Sequence, residues 1–216
     1  VSTKIGLLSD VHARPEPVEE ALSIFKREQV SKIICAGDIA GYFEELEPTI
    51  ELLITSECLT ITGNHDQTYI ETHPDETDTK EYRFLNALPE TLAFEVDGKR
   101  IYAVHAHPPN SQHGGIKLLD VDGKLIPEYQ EYWRQELENF NYDVLIVGHT
   151  HQVFAEKLGD VLVVNPGSSQ FNHSCMILTL PDMTVETFAL ENMEILKSWN
   201  FSMLFGSKSA YPPKKK

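Results

Sequence analysis

The chain is punctuated by short, uninterrupted apolar runs: Ile5-Gly6-Leu7-Leu8, Ile33-Ile34-Cys35-Ala36, Leu59-Thr60-Ile61-Thr62, Ile101-Tyr102-Ala103-Val104 and Val144-Leu145-Ile146-Val147. Runs of this length predict strands buried on both faces. Between the first three, apolar positions recur at helical spacing, predicting helices from about Pro17 to Glu28 and Glu45 to Thr55. This βαβαβ order implies a parallel sheet with right-handed crossovers. From Asp66 to Glu90 the chain turns polar; a short helix at Lys80 to Leu88 is expected, and residues 66–90 are read as a possible small cap over the strand ends.

The second half predicts a hairpin, Thr91 to Val96 and Arg100 to Val104 around Asp97-Gly98, a strong two-residue turn signal. A loop from Ala106 to Gly115 follows, with a second turn at Val121-Asp122-Gly123-Lys124. Pro127 to Asn139 is expected as a helix opened by proline, its Tyr129, Tyr132, Trp133 and Leu137 packing into a core. A meander is expected through Val153 to Lys157, Val161 to Val164, Met176 to Leu180 and Val185 to Leu190. No repeat or linker divides the chain, so residues 1–216 read as one α/β domain.

Composition narrows the function. At 41% hydrophobic and 24% charged, the sequence is ordinary for a globular protein, and it has no apolar run long enough to span a bilayer. No secretory leader is visible at its start, and the three cysteines, Cys35, Cys58 and Cys175, sit inside apolar runs. Buried thiols in a reducing, cytoplasmic setting are the expectation. A net charge of -15 argues against a protein that grips long nucleic acid, and no membrane partner is expected. The one basic run, Lys214-Lys215-Lys216, follows Pro212-Pro213 and reads as a frayed tail.

The chemistry lies just past the apolar runs. In order come Ser9-Asp10-Val11-His12, Gly37-Asp38, Gly63-Asn64-His65-Asp66, Val104-His105 and Gly148-His149-Thr150-His151. Ligands of α/β sheets bind beyond the carboxyl ends of strands. Five strand ends would thus bring Asp10, His12, Asp38, Asn64, His105, His149 and His151 to one edge of one sheet, enough to hold two ions. Oxygen and imidazole donors without thiolate suit Mn, Fe, Zn, Co or Ni, with Mn the favoured ion in vitro. Asp38, on the middle strand of the first three, is the natural bridge. Asp10 and His12 with one of the two late histidines would complete one ion, and Asn64 and His105 with the other late histidine the second. His65 would stand beside the ions unligated, free to protonate a leaving oxygen. His107 follows His105 by two, and His105 is preferred because it directly ends its strand. His73, His113 and His173 read as ordinary loop residues.

These motifs, in this order, resemble the calcineurin-like metallophosphoesterase superfamily. Gly41-Tyr42 and Asn165-Pro166-Gly167-Ser168 are similar to its small prokaryotic phosphodiesterase-like branch. The resemblance implies a four-layer αββα sandwich with two central mixed sheets. It implies one ion on Asp10, His12 and His151, the other on Asn64, His105 and His149, and Asp38 bridging. It also implies a phosphoesterase acting on a small phosphate ester, most simply a diester, through a hydroxide that bridges the ions. Three departures stand out. Ile39-Ala40 replaces the Asp-Arg of protein phosphatases, which weighs against that activity. Ala13-Arg14 replaces a frequent Gly-Asn, and Arg14 reads equally as a phosphate contact or a solvated side chain. Ala106 follows His105 where glycine is usual. Asn165-Pro166-Gly167-Ser168 reads either as a close backbone approach to the site or as a plain turn. A non-catalytic scaffold on the same fold and a nuclease are the competing functions. Retention of His65 favours the enzyme, and the acidic charge disfavours the nuclease.

Overall fold

In a computed structural model, residues 2–200 are described; the Lys214-Lys215-Lys216 tail lies outside them. The elements run β1 (Thr3–Leu8), α1 (Pro15–Arg27), β2 (Lys32–Cys35), α2 (Leu46–Thr55), β3 (Leu59–Thr60), α3 (Asn64–Thr72), α4 (Lys80–Asn86), β4 (Thr91–Val96), β5 (Lys99–Val104), α5 (Pro127–Glu136), β6 (Val144–Ile146), β7 (Val153–Leu158), β8 (Val161–Pro166), β9 (Ser174–Leu180) and β10 (Thr184–Ala189). They form two five-stranded mixed sheets, ordered β10-β9-β1-β2-β3 and β4-β5-β6-β8-β7. β1, β2 and β3 are parallel, as the βαβαβ reading requires, and β9 joins β1 antiparallel. In the second sheet β5, β6 and β8 are parallel, with β4 and β7 antiparallel on the edges.

Strand alternation explains the continuous apolar runs. Ile5 and Leu7 of β1 face the other sheet, together with Ile101, Ala103, Val144, Ile146 and Val164, in the core between the two sheets. Leu8 turns the other way and packs with Phe25 of α1 and Ile50 of α2. On the second sheet, Val104, Leu145 and Val163 point outward under α5. Each central strand is therefore wet on neither face, and the order of layers is helix, sheet, sheet, helix.

Three expectations are corrected. The five motif-bearing strands do not share a sheet: β1, β2 and β3 belong to one, β5 and β6 to the other. Nor do the C-terminal strands form a single meander, because β7 and β8 pair in the second sheet while β9 and β10 pair in the first. Apolar periodicity reports which faces are buried and carries no information on sheet membership. Within 66–90 the chain forms most of α3 as well as the expected α4, and Tyr69, Ile70, Phe84 and Leu85 join the core beneath α1 and α2. α3 escaped notice because its surface is polar, Asp66 being its buried residue. α5 packs through Tyr129, Trp133 and the adjoining Leu137, but Tyr132 is about half exposed rather than in the core. All three cysteines are free thiols; Cys35 and Cys175 are buried and Cys58 is half-buried. No helix among the described residues is long and apolar enough to cross a membrane.

Candidate metal centre

The loops that follow β1, β2, β3, β5 and β6 converge where the ends of the two sheets meet. Their motif residues adopt a backbone that side chains rarely tolerate: Asp10, His12, Asp38, His149 and His151 lie at φ between 49° and 64°. Left-handed non-glycine residues gathered at one place mark a functional constraint rather than a folding preference. The glycines before the motifs have a separate cause. A Cβ on Gly148 would strike the side chains of Ser9 and Asp10, and one on Gly63 would strike Asp38.

Two carboxylates sit at the centre. Asp10 is fully buried and Asp38 is 2% exposed. Asp10 Oδ2 accepts from Ser9 Oγ and from the His149 backbone N–H at 3.1 Å. Its Oδ1 receives no aligned hydrogen bond, and His151 Nε2 stands 3.3 Å away. Asp38 Oδ1 accepts from the His65 backbone N–H at 2.8 Å, and its Oδ2 lies 3.3 Å from His105 Nε2. Among the described residues neither carboxylate is ion-paired with a lysine or arginine. Burial opposes ionisation of both. At Asp10 the imidazoles led by His151 outweigh it, and at Asp38 His105 does, so both carboxyls are held below their ordinary range.

The imidazoles are aimed by backbone carbonyls. His105 Nδ1 donates to Ala36 O at 2.7 Å, and His12 Nδ1 donates to Ala40 O at 3.2 Å. A carbonyl only accepts, so each Nδ1 carries the proton and each Nε2 turns into the site, the arrangement metal-binding histidines use. His12 Nε2 lies 3.2 Å from His151 Nε2. Asn64 Oδ1 sits 3.2 Å from His105 Nε2 and 2.9 Å from His149 Nδ1. Burial pushes His12 down to about 4, and burial with the neighbouring His105 does the same for His149. Against its own burial, His105 is lifted by Asp38 to about 9.

Donor atoms of Asp10, His12 and His151 lie within 4.8 Å of one another, as do those of Asp38, His105 and His149. Asp38 also groups with His12 and His65, so its carboxylate stands between the two halves. The structure thus brings together all seven residues singled out as ligands, with His65 beside them. The donor set is oxygen and imidazole, and among the described residues the buried carboxylates have no lysine or arginine partner and Asp10 Oδ1 receives no aligned hydrogen bond: these residues fit divalent cations.

Residues beyond the candidate ligands hold this arrangement. Asp66 accepts from the backbone N–H groups of Ile39, Ala40 and Gly63, each at 2.8 Å, tying the β2 loop to the β3 loop. Burial and the adjacent Asp38 push its carboxyl up to about 7. Asn165 Nδ2 donates to Gly148 O at 3.0 Å, Ser168 Oγ to Asp10 O at 2.6 Å, and Asn172 Nδ2 to His151 O at 2.9 Å. The Asn165-to-Ser168 turn is therefore a brace for the motif loops. Arg14 lies against Glu16, Glu45 and the Phe43 ring. His107 turns away: its Nδ1 meets Pro108 O at 2.9 Å and its ring lies near Trp133. His73 stacks on Tyr69, His173 faces Glu191, and the His113 ring lies 6.3 Å from that of His149.

The sequence matches the calcineurin-like phosphoesterase superfamily domain over residues 3–183. The chain belongs to that superfamily. Membership makes it a phosphoric ester hydrolase of a metal-dependent family, and the converging donor groups lie where such chemistry needs them. Among curated relatives it is 26% identical to a phosphodiesterase of Methanocaldococcus jannaschii over 168 residues, covering 76% of this chain and 82% of the relative. It is 28% identical to a probable metallophosphoesterase of Methanothermobacter thermautotrophicus over 167 residues, 76% of each chain. Its backbone resembles a hypothetical protein of Pyrococcus horikoshii with a TM-score of 0.70 at 17% identity, covering 94% of this chain and 91% of the other. This last likeness is one of fold, and it matches the two-sheet sandwich described above.

Removing the Asp66 carboxylate leaves three buried N–H groups without an acceptor. Asp66→Ala should lower the stability of the metal-free protein by about 3 kcal/mol or more, at ~1–3 kcal/mol per orphaned group. Urea denaturation reads this directly, and an unchanged midpoint would contradict the bracing role.

Proposed function

We propose that the protein is a phosphodiesterase using two divalent ions, one on Asp10, His12 and His151, the other on Asn64, His105 and His149, with Asp38 between them. The observation that carries this reading is the Asp38 carboxylate, standing within ligand range of both the His12 half and the His105 half. The ions, when bound, supply Lewis acidity, acidifying a water that serves as hydroxide nucleophile and neutralising charge on the phosphoryl group. Mn is the first ion to test, since the donors match it. The likeness to a named phosphodiesterase supports diesters over monoesters, and the substrate we envisage is a small phosphate ester.

The protein's own contribution is orientation and a proton. His65 follows Asn64 on α3, its backbone N–H is fixed on Asp38, and its ring lies 5.0 Å from that of His12 and 4.7 Å from Tyr42. It lines the cavity of about 210 Å³ that opens over Asp38, Asn64, His149 and His151. From there it can protonate a departing alkoxide. An acidic protein can accept an anion here because the field at the reacting phosphorus is set by the bound cations rather than by the surface.

His65→Ala should keep both ions yet lose roughly 10²–10⁴ in kcat on alkyl phosphodiesters, with a smaller loss for acidic leaving groups that depart unprotonated. Unchanged turnover at full metal occupancy would remove His65 from the mechanism. Lost metal would instead make it a ligand. Wild-type protein inactive with every divalent ion would favour the scaffold reading.

Metal binding should also report His105. In the metal-free protein Asp38 holds the His105 proton up to about 9, and that proton competes with an ion for Nε2. Apparent affinity measured by calorimetry should rise about tenfold per pH unit from roughly pH 7 and level off above about 9. A profile flat across that range would exclude His105 as a ligand.

A further inference from the structure

The last described residues complete the site. Beyond the family domain, which ends at residue 183, the chain finishes β10 and returns across the motif loops. Leu196 N donates to Asn172 O, Lys197 O accepts from Val153 N, and Trp199 N donates to His151 O at 3.0 Å. This return places Trp199 and Asn200 in the wall of the cavity that holds Asp38, His65 and His149. The Trp199 ring stacks on Phe171, centroids 4.1 Å apart and 13° from parallel, and lies 5.1 Å from the His151 ring. Phe171 in turn meets Tyr42 at 5.4 Å, and Tyr42 lies 4.7 Å from His65.

The cavity is therefore two-sided. A strip of rings, Tyr42 to Phe171 to Trp199, follows the His65, His12 and His151 side, while Lys117 and Thr150 line the cavity with Asn64 and His149. We infer that Tyr42 and Trp199 form a subsite for the departing arm of the substrate, selecting phosphodiesters whose leaving alcohol carries a flat aromatic body. The inference rests on the hydrolase reading above: the group that protonates the leaving oxygen, His65, is in ring contact with Tyr42, so the departing arm comes off on the aromatic side. Aromatic rings held rigid at a cavity wall favour a flat partner through ring contact and burial; Tyr42 is 48% exposed there, and Trp199, 9% exposed, is fixed by Phe171 on one face. Trp199 is a specificity residue here and takes no part in proton transfer.

Three diesters separate the possibilities: 4-nitrophenyl ethyl phosphate, bis(4-nitrophenyl) phosphate, and 2,2,2-trifluoroethyl ethyl phosphate, whose activated leaving group has no ring. In Trp199→Ala, kcat/KM for both nitrophenyl esters should fall about tenfold relative to the trifluoroethyl ester, mainly through KM, and Trp199→Phe should restore most of the ratio. Emission of Trp199, isolated by Trp133→Phe, should be quenched saturably in chelator-treated protein by neutral 4-nitrophenol at about pH 6, the leaving alcohol alone, and not by 2,2,2-trifluoroethanol. Equal losses on all three substrates would show that Trp199 merely supports His151 and overturn the subsite. A loss confined to the bis ester would move the ring to the retained arm and overturn it too. Wild-type protein that turns over none of the three with added Mn would overturn the hydrolase reading, and the subsite with it.

Discussion

Two buried carboxylates, paired with no lysine or arginine among the described residues, are the constraint on which the architecture turns. Taking an ionised carboxylate out of water costs several kcal/mol after relaxation unless opposite charge and hydrogen bonds answer it. Asp10 and Asp38 bear that cost side by side, at the seam where two sheets end. In the metal-free protein the answer is partial: a proton held on His105 and a hydroxyl and amide on one oxygen of Asp10. Imidazoles at His12 and His149 stay neutral, their lone pairs available. The edge thus gathers a donor set that fits cations.

Holding it open demands strain. Five of the candidate ligands, Asp10, His12, Asp38, His149 and His151, sit in left-handed backbone, a conformation costing of order 1–3 kcal/mol per residue. Such strain persists only where the surroundings over-determine it. Here the determinants are buried side chains that grip loop backbone: Asp66 across two loops, Asn165 on Gly148, Ser168 on Asp10, and Asn172 on His151. The sandwich supplies the rest, since strands apolar on both faces leave their ends as the place where polar groups can gather.

What could be read from residues alone follows from this division. The candidate ligands cluster in short polar bursts directly after apolar runs, so all seven positions, with His65, could be named from the sequence, and the structure brings them together. His105 was preferred over His107 because it directly ends its strand; the structure groups His105 with Asp38 and His149 and sets the His107 ring near Trp133. Sheet membership was not legible from the runs themselves, because β5 and β6 look the same whichever sheet they join; the two sheets came from the family resemblance. α3 was hidden by its polar surface. The bracing residues were legible only in part: Asp66 and the Asn165-to-Ser168 turn stood out as motifs without a bracing role, whereas a lone Asn172 carries no spacing signal, and its role exists only once distant loops meet. Trp199 lies still further from any motif, reaching the site through a return of the chain beyond the family domain.

The central claim is that this edge holds two ions sharing Asp38, and anomalous diffraction from crystals loaded with Mn tests it most directly. The account predicts two peaks about 3.5–4 Å apart, one beside Asp10, His12 and His151 and the other beside Asn64, His105 and His149, with the Asp38 carboxylate touching both. A single peak at saturating Mn, or two peaks with Asp38 bound to only one, would contradict it.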